Sequence, residues 1–160
     1  MPNNFKPAQG SGDTGMTGLP RGKRVKKTDP VIKALGLIDE LSALIGLARA
    51  GLSVKKKAEE LERTQLALLK AASQAAGLNF KTELEKETAY LETRIGELSA
   101  GAEPIRQFVL PGRTETGALL HLARAKARIC ELTLWEINSR YAAVYLNRLS
   151  DYLFLLAEKE

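Results

Sequence analysis

The run from Thr114 to Asn138, TETGALLHLARAKARICELTLWEIN, constrains this chain most, because its pattern is helical and presents two different faces. At 3.6 residues per turn, Ala118, Leu122, Ala125, Ile129 and Leu132 form one apolar stripe, predicted to be the face the helix buries. Arg124, Arg128 and Glu131 recur at i, i+4 and i+7 on a second face. Two guanidiniums one turn apart, followed by a carboxylate, are spaced to fork phosphate oxygens. The same three residues also describe an ordinary solvated face with an Arg–Glu pair at i, i+3. The rest of the chain has to decide.

Four more helices are predicted. Asp29 caps and Pro30 opens a helix whose row is Val31, Ala34, Ile38, Leu41, Ile45 and Ala48, closed by Gly51. Asp39 lies off that row, beside Ser42 and Gly46. A second helix runs from about Ser53 to Ala76 on Ala58, Leu61, Leu68, Ala72 and Ala75, with Gln65 interrupting the row and Gly77 as the residue after the cap. A capping box, Thr82-Glu83-Leu84-Glu85, is predicted to open the third, which continues through Thr88, Leu91, Ile95 and Leu98 and is the most charged of the set. The last, about Ala142 to Lys159, buries Leu146, Leu149, Leu153 and Leu156, with Asn147 and Asp151 one turn apart beside that row. Short turns between five helices predict an all-α, antiparallel five-helix bundle over 29–160. Residues 1–28, broken by five glycines, are expected to be an irregular arm of the same domain. Phe108, in the connector IRQFVLPGR, reads as a loop anchor. Arg124, Arg128, Asn147, Asp151 and Asp39 all flank apolar rows, which suits a groove or subunit interface.

Composition narrows the chemistry. A chain of 160 residues with 44% hydrophobic content can build one core. It holds no apolar run of about 18 residues, and MPNNFKPAQGSGDTG lacks the apolar stretch of a secretory signal. A single cysteine, Cys130, fits packing and a reducing, cytoplasmic setting. The net charge of +5 favours an anionic partner: nucleotide, polyphosphate or nucleic acid. Only 6% of residues are aromatic, and no basic–aromatic alternation suggests a single-strand platform. With His121 the only histidine, neither a protein-built metal centre nor a Ser-His-Asp triad is expected. The segment QGSGDTGMTG can turn backbone N–H groups toward an anion, although it lacks the GxxxxGK[ST] pattern. What remains is phosphate handling by Arg and Lys, with a substrate that brings its own nucleophile.

Five ordered blocks carry a resemblance: SGDTGMTGLPRGKRVKKTDP, ALGLIDELSALIGLAR, FVLPG, HLARAKARICE and YLNRLSDYLFLLA. The chain resembles the PduO-type ATP:cob(I)alamin (corrinoid) adenosyltransferases over almost its whole length, least between about 52 and 100. The resemblance implies a homotrimer with interfacial sites that moves the 5′-deoxyadenosyl group of ATP onto the cobalt of a reduced corrinoid. Triphosphate leaves with the help of Mg²⁺ or K⁺. It implies that Gly10, Ser11, Gly12, Asp13, Thr17, Gly18 and Lys27 bind ATP together with Arg128, Glu131 and Asn147 of a neighbouring subunit. Arg124 would pair with Asp39 across the interface, Phe108 would lie beneath the corrin, and Asp151 would sit near the site.

Three places depart from the family pattern. Gly10 stands where a basic residue is usual, Arg113 where Gly or Ser is common, and Ile129 and Leu132 where cations often sit. A Co(II) reductase and an adenosylcobalamin-dependent mutase or dehydratase are the implied protein partners; neither nucleic acid nor a membrane is. The residues themselves leave open a non-catalytic helical oligomer that carries or senses nucleotide or adenosylcobalamin. A basic bundle that binds nucleic acid through its lysine-rich arm is the more distant alternative.

Overall fold

The computed structural model describes residues 10–101 and 109–160. Its elements are β1 (Met16–Gly18), β2 (Arg24–Lys26), α1 (Pro30–Ala50), α2 (Lys55–Ala75), α3 (Lys81–Ser99), α4 (Glu115–Glu136) and α5 (Arg140–Ala157). The five helices pack around one core, and α4 lies between α1 and α5. No helix among the described residues is long and apolar enough to cross a membrane.

Helix boundaries follow local chemistry. The Asp29 carboxylate accepts the Val31 amide at 2.9 Å, and Ala34, Ile38, Leu41, Ile45 and Ala48 are buried as the α1 row predicts. Beyond α2, Gly77 adopts φ +94°, a left-handed conformation that costs glycine little. There the Leu78 amide reaches the Ser73 carbonyl at 3.0 Å and the Gly77 amide reaches that of Gln74 at 3.1 Å, the closure expected after a helix. The Thr114 hydroxyl accepts the Gly117 amide at 2.9 Å and starts α4.

Three expectations change. The capping box at Thr82 does not form, because α3 begins at Lys81 and Thr82 already lies inside the helix. Acceptors from the preceding turn reach that point first: Gln74 Oε1 takes the Phe80 amide at 2.7 Å and Asn79 Oδ1 takes that of Lys81 at 3.3 Å. The arm is not wholly irregular. Its described part folds into an antiparallel hairpin pairing Thr17 with Val25, and Val25 is buried.

The third change matters most. Helix α4 buries Gly117, Leu120, Ala123, Ala127, Cys130 and Leu134, not the predicted stripe. Leu122, Ile129 and Leu132 are instead 51%, 48% and 64% exposed. Alanines and glycine on the inner face let α4 approach its neighbours closely, and the bulkier leucine stripe points away. A second apolar patch, Leu47, Leu66 and Leu69, is exposed on α1 and α2.

Helix α3 buries only Leu84 and Leu91 and is held largely by polar contacts. Glu60, 8% exposed, takes the Tyr152 hydroxyl at 2.8 Å and Arg94 at 3.1 Å, joining α2, α3 and α5. Arg63 and Lys70 each bond Glu87 at 2.8 Å. Burial draws the Glu87 carboxyl upward, but its bonds to Lys70 and Arg63 outweigh that and hold it below the usual range.

Candidate functional site

Two clusters gather the candidate residues. The first is the turn before β1. The Gly10 and Gly12 carbonyls accept the Asp13 and Gly15 amides at 3.2 and 3.1 Å, coiling the backbone through Ser11 and Asp13. The Gly15 carbonyl takes the Lys27 amide at 2.8 Å, anchoring the far strand to the turn. Lys27 then lays its ammonium against Gly12, where a Cβ would stand 2.8 Å from both Cε and Nζ. The absence of a side chain at Gly12 is what allows the cation to lie there. Arg24 adds a second cation by donating to the Ser11 carbonyl at 3.3 Å. Gly10, the place of a missing basic residue, takes φ +76°, which an L side chain rarely adopts. The loop's positive charge thus comes from β2 and the residue after it. Thr17 and Gly18 lie on β1, opposite Val25 and Arg24.

The second cluster runs along the seam of α4 and α5. His121, Arg124, Arg128, Glu131 and Trp135 recur at steps of 3 and 4, so they share one face of α4. Asn147, Asp151 and Phe154 do the same on α5, and Glu158, the residue that caps its C-terminus, extends the row. The Asn147 amide donates to Glu131 Oε1 at 3.2 Å, and the Trp135 indole N–H donates to the same oxygen at 3.4 Å. Arg148 donates to Asn147 Oδ1 at 2.5 Å and to Glu92 at 3.0 Å, fixing the amide from its other side. One turn away, Arg128 is exposed and forms no ion pair among the described residues. Arg124 is half-buried, and its Nε finds no acceptor there.

At the other end of the row His121 is buried, with Nε2 3.1 Å from Glu158 Oε1 and its ring edge-on to Phe154 at 5.8 Å. The intervening Lys126 turns to α1 and bonds Glu40 at 2.7 Å. Cys130 is core, and burial pushes its thiol up to about 12, which makes it a poor nucleophile.

The structure therefore joins Lys27 to the Gly10–Asp13 turn and Glu131 to Asn147. It sets Arg124, Arg128 and Asp151 along the same seam. The two clusters share no ion pair among the described residues. Asp39 lies elsewhere, in a groove of about 80 Å³ with Leu35, Ser42 and Leu69 between α1 and α2, and is not bonded to Arg124 within the chain. Phe108 lies outside the described residues. Sequence reasoning set aside His121 and did not single out Trp135, although the 3-4 spacing that aligned the arginines reaches both. Arg24 was one among many basic residues until the hairpin aimed it.

The sequence model of the cobalamin adenosyltransferase family matches residues 8–160. The corrinoid adenosyltransferase PduO of Citrobacter freundii is 35% identical over 161 residues, 94% of this chain and 48% of that protein. The corrinoid adenosyltransferase of Bacillus subtilis is 37% identical over 159 residues, 92% of this chain and 82% of that one. The chain thus spans about half the length of its PduO relative and most of the Bacillus one. In three dimensions it resembles a variant PduO-type ATP:corrinoid adenosyltransferase from Lactobacillus reuteri complexed with cobalamin and ATP. That likeness has a TM-score of 0.87 at 27% identity and covers 95% of this chain and 89% of that one. With the family's pattern spanning all but its first few residues, the chain belongs to the cobalamin adenosyltransferase family.

Proposed function

We propose that this chain transfers the 5′-deoxyadenosyl group of ATP to the cobalt of cob(I)alamin or a related corrinoid, giving adenosylcobalamin and triphosphate. The observation that carries the reading is the α4 row. Arg128 and Arg124 have no charge partner among the described residues, and beside them Glu131 is already held by Asn147. Unpaired guanidiniums next to a fixed carboxylate–amide pair suit a polyanion with a hydrogen-bonding nucleoside end.

Co(I) supplies the electron pair that forms the Co–C5′ bond, and the C5′–O bond breaks with its electrons leaving on triphosphate. The chain therefore needs no nucleophile of its own. Its residues hold C5′ in line with cobalt and meet the charge that grows on the leaving triphosphate. Lys27 and the Gly10–Asp13 turn, with Thr17 and Gly18, take one side of ATP; Arg128, Glu131 and Asn147 of a neighbouring subunit take the other. On this reading 1–28 is an ATP-binding arm and 29–160 the bundle. Mg²⁺ or K⁺ would accompany the triphosphate and share its charge.

The exposed Leu122, Ile129 and Leu132 stripe and the Leu47, Leu66 and Leu69 patch are two different faces, which suits a head-to-tail ring. A homotrimer closed this way brings Arg124 to a neighbour's Asp39 and leaves Asp151 near the site. Phe108 covers the lower face of the corrin and keeps water and ligands from the cobalt. A cytoplasmic setting, a reductase that supplies Co(I) and a mutase or dehydratase that takes the product complete the proposal. The test is Arg128→Ala with chemically supplied cob(I)alamin: turnover is expected to fall by about 10²–10³. Wild-type binding of ATP or adenosylcobalamin without Co–C bond formation would instead make the chain a carrier.

A further inference from the structure

We infer that Trp135 is a further ATP-binding residue, an indole on which the adenine base stacks; this rests on the adenosyltransferase reading of the α4–α5 seam. Trp135 is the single tryptophan of the chain and is 45% exposed. One exposed aromatic side chain is ordinary by itself. What sets this one apart is its attachment. Its indole N–H donates to Glu131 Oε1 at 3.4 Å, the same oxygen that takes the Asn147 amide at 3.2 Å. The carboxylate that Asn147 holds thus also ties the edge of the indole, and no ring or cation stacks on Trp135 among the described residues. A ring tied at its edge and half in water has little freedom left to lose when a base stacks on it.

The groups along α4 follow the order of the groups in a nucleoside triphosphate. Arg124 and Arg128 come first and suit the phosphates. Glu131 with Asn147 follows. Both bonds into that carboxylate end on Oε1, so neither uses Oε2, which can accept from a ribose hydroxyl. Trp135 comes last, roughly 10 Å along the axis from Arg128 at about 1.5 Å per residue. Every base has a π-face, so stacking there needs no charge. The opposite orientation of the nucleotide is disfavoured. Trp135 lies in the last turn of α4, the negative end of the helix, and Glu136 follows it. A phosphate placed there would meet negative charge, whereas a neutral base does not.

Because the chain has one tryptophan, its emission reports on this position alone. ATP should quench the selectively excited wild-type emission saturably, and inorganic triphosphate, held by the same arginines, should not. Calorimetric titration supplies the affinities, since the variants lose the emission. Trp135→Leu should weaken ATP binding by about tenfold, the worth of one stacked base, with triphosphate affinity unmoved. Trp135→Phe keeps an aromatic face and should stay within about threefold of wild type. ATP that binds without changing the emission would overturn the assignment, as would Trp135→Leu weakening ATP and triphosphate alike. Emission that follows protein concentration and ignores ATP would also overturn it, giving the indole to a contact between copies. Quenching and the tenfold loss without any Co–C bond formation would uphold the stacking role and sink the transferase reading.

Discussion

Asn147 of α5 donates its amide to the Glu131 carboxylate of α4 at 3.2 Å, a polar tie between the two helices that carry the seam. Because Arg148 grips the Asn147 oxygen in turn, the amide cannot flip without breaking both contacts. The pair is a fixed reference beside two arginines that have no ion-pair partner among the described residues. Single variants Glu131→Ala and Asn147→Ala should each lower kcat/KM for ATP by about tenfold, and the double variant should lose less than the product. Steady-state kinetics in a double-mutant cycle measures the coupling. Strict additivity would mean that the two act independently.

Gly12→Ala is aimed at the loop cation. The new Cβ stands 2.8 Å from the end of the Lys27 side chain, which can swing away at little cost to the fold. The melting temperature should hold within about 2 °C, while ATP affinity falls by roughly tenfold, the worth of one displaced charged contact. A calorimetric titration with ATP reads the second number directly.

Stability should depend on Glu60 more than on any surface carboxylate. It is the only acceptor that links Tyr152 to Arg94 among the described residues. Glu60→Ala removes the acceptor of the Tyr152 hydroxyl and one of the two carboxylates on half-buried Arg94, which keeps Glu97, and is expected to cost about 1–3 kcal/mol. Tyr152→Phe removes one hydrogen bond and should cost about 1 kcal/mol. Urea unfolding followed by circular dichroism gives both values.

Leu132→Glu places a charge on a helix face that this chain does not bury. The isolated chain should tolerate it, with secondary structure intact, but a ring of copies should not. Sedimentation is expected to show a smaller species for the variant than for the wild type, with activity lost in parallel. A variant that sediments like the wild type would remove the α4 stripe from the interface.

Much of the fold was legible in the sequence because capping and spacing are local. Asp29-Pro30 set the start of α1, Thr114 that of α4 and Gly77 the end of α2. Leu146, Leu149, Leu153 and Leu156 gave the buried row of α5. The inner face of α4 was not legible, because the helix is apolar on two sides. Hydrophobicity alone does not tell a face that meets its own core through Ala123 and Ala127 from one that carries Leu122, Ile129 and Leu132 outward. The three-residue strands of the hairpin are too short for any periodicity, and Thr82 lost its cap to acceptors on Gln74 and Asn79 that only the folded turn brings near. Of the candidate site, spacing found the Arg124–Arg128–Glu131 row. The Lys27–Gly12 contact needed the hairpin to be folded.

The most direct measurement is an anaerobic assay with ATP, Mg²⁺ and chemically reduced cob(I)alamin, following the loss of Co(I) absorbance and the appearance of a light-sensitive Co–C bond. The account predicts multiple turnovers for the wild type and almost none for Arg128→Ala at equal folded concentration. Wild-type protein that binds ATP and corrinoid yet forms no Co–C bond would contradict it.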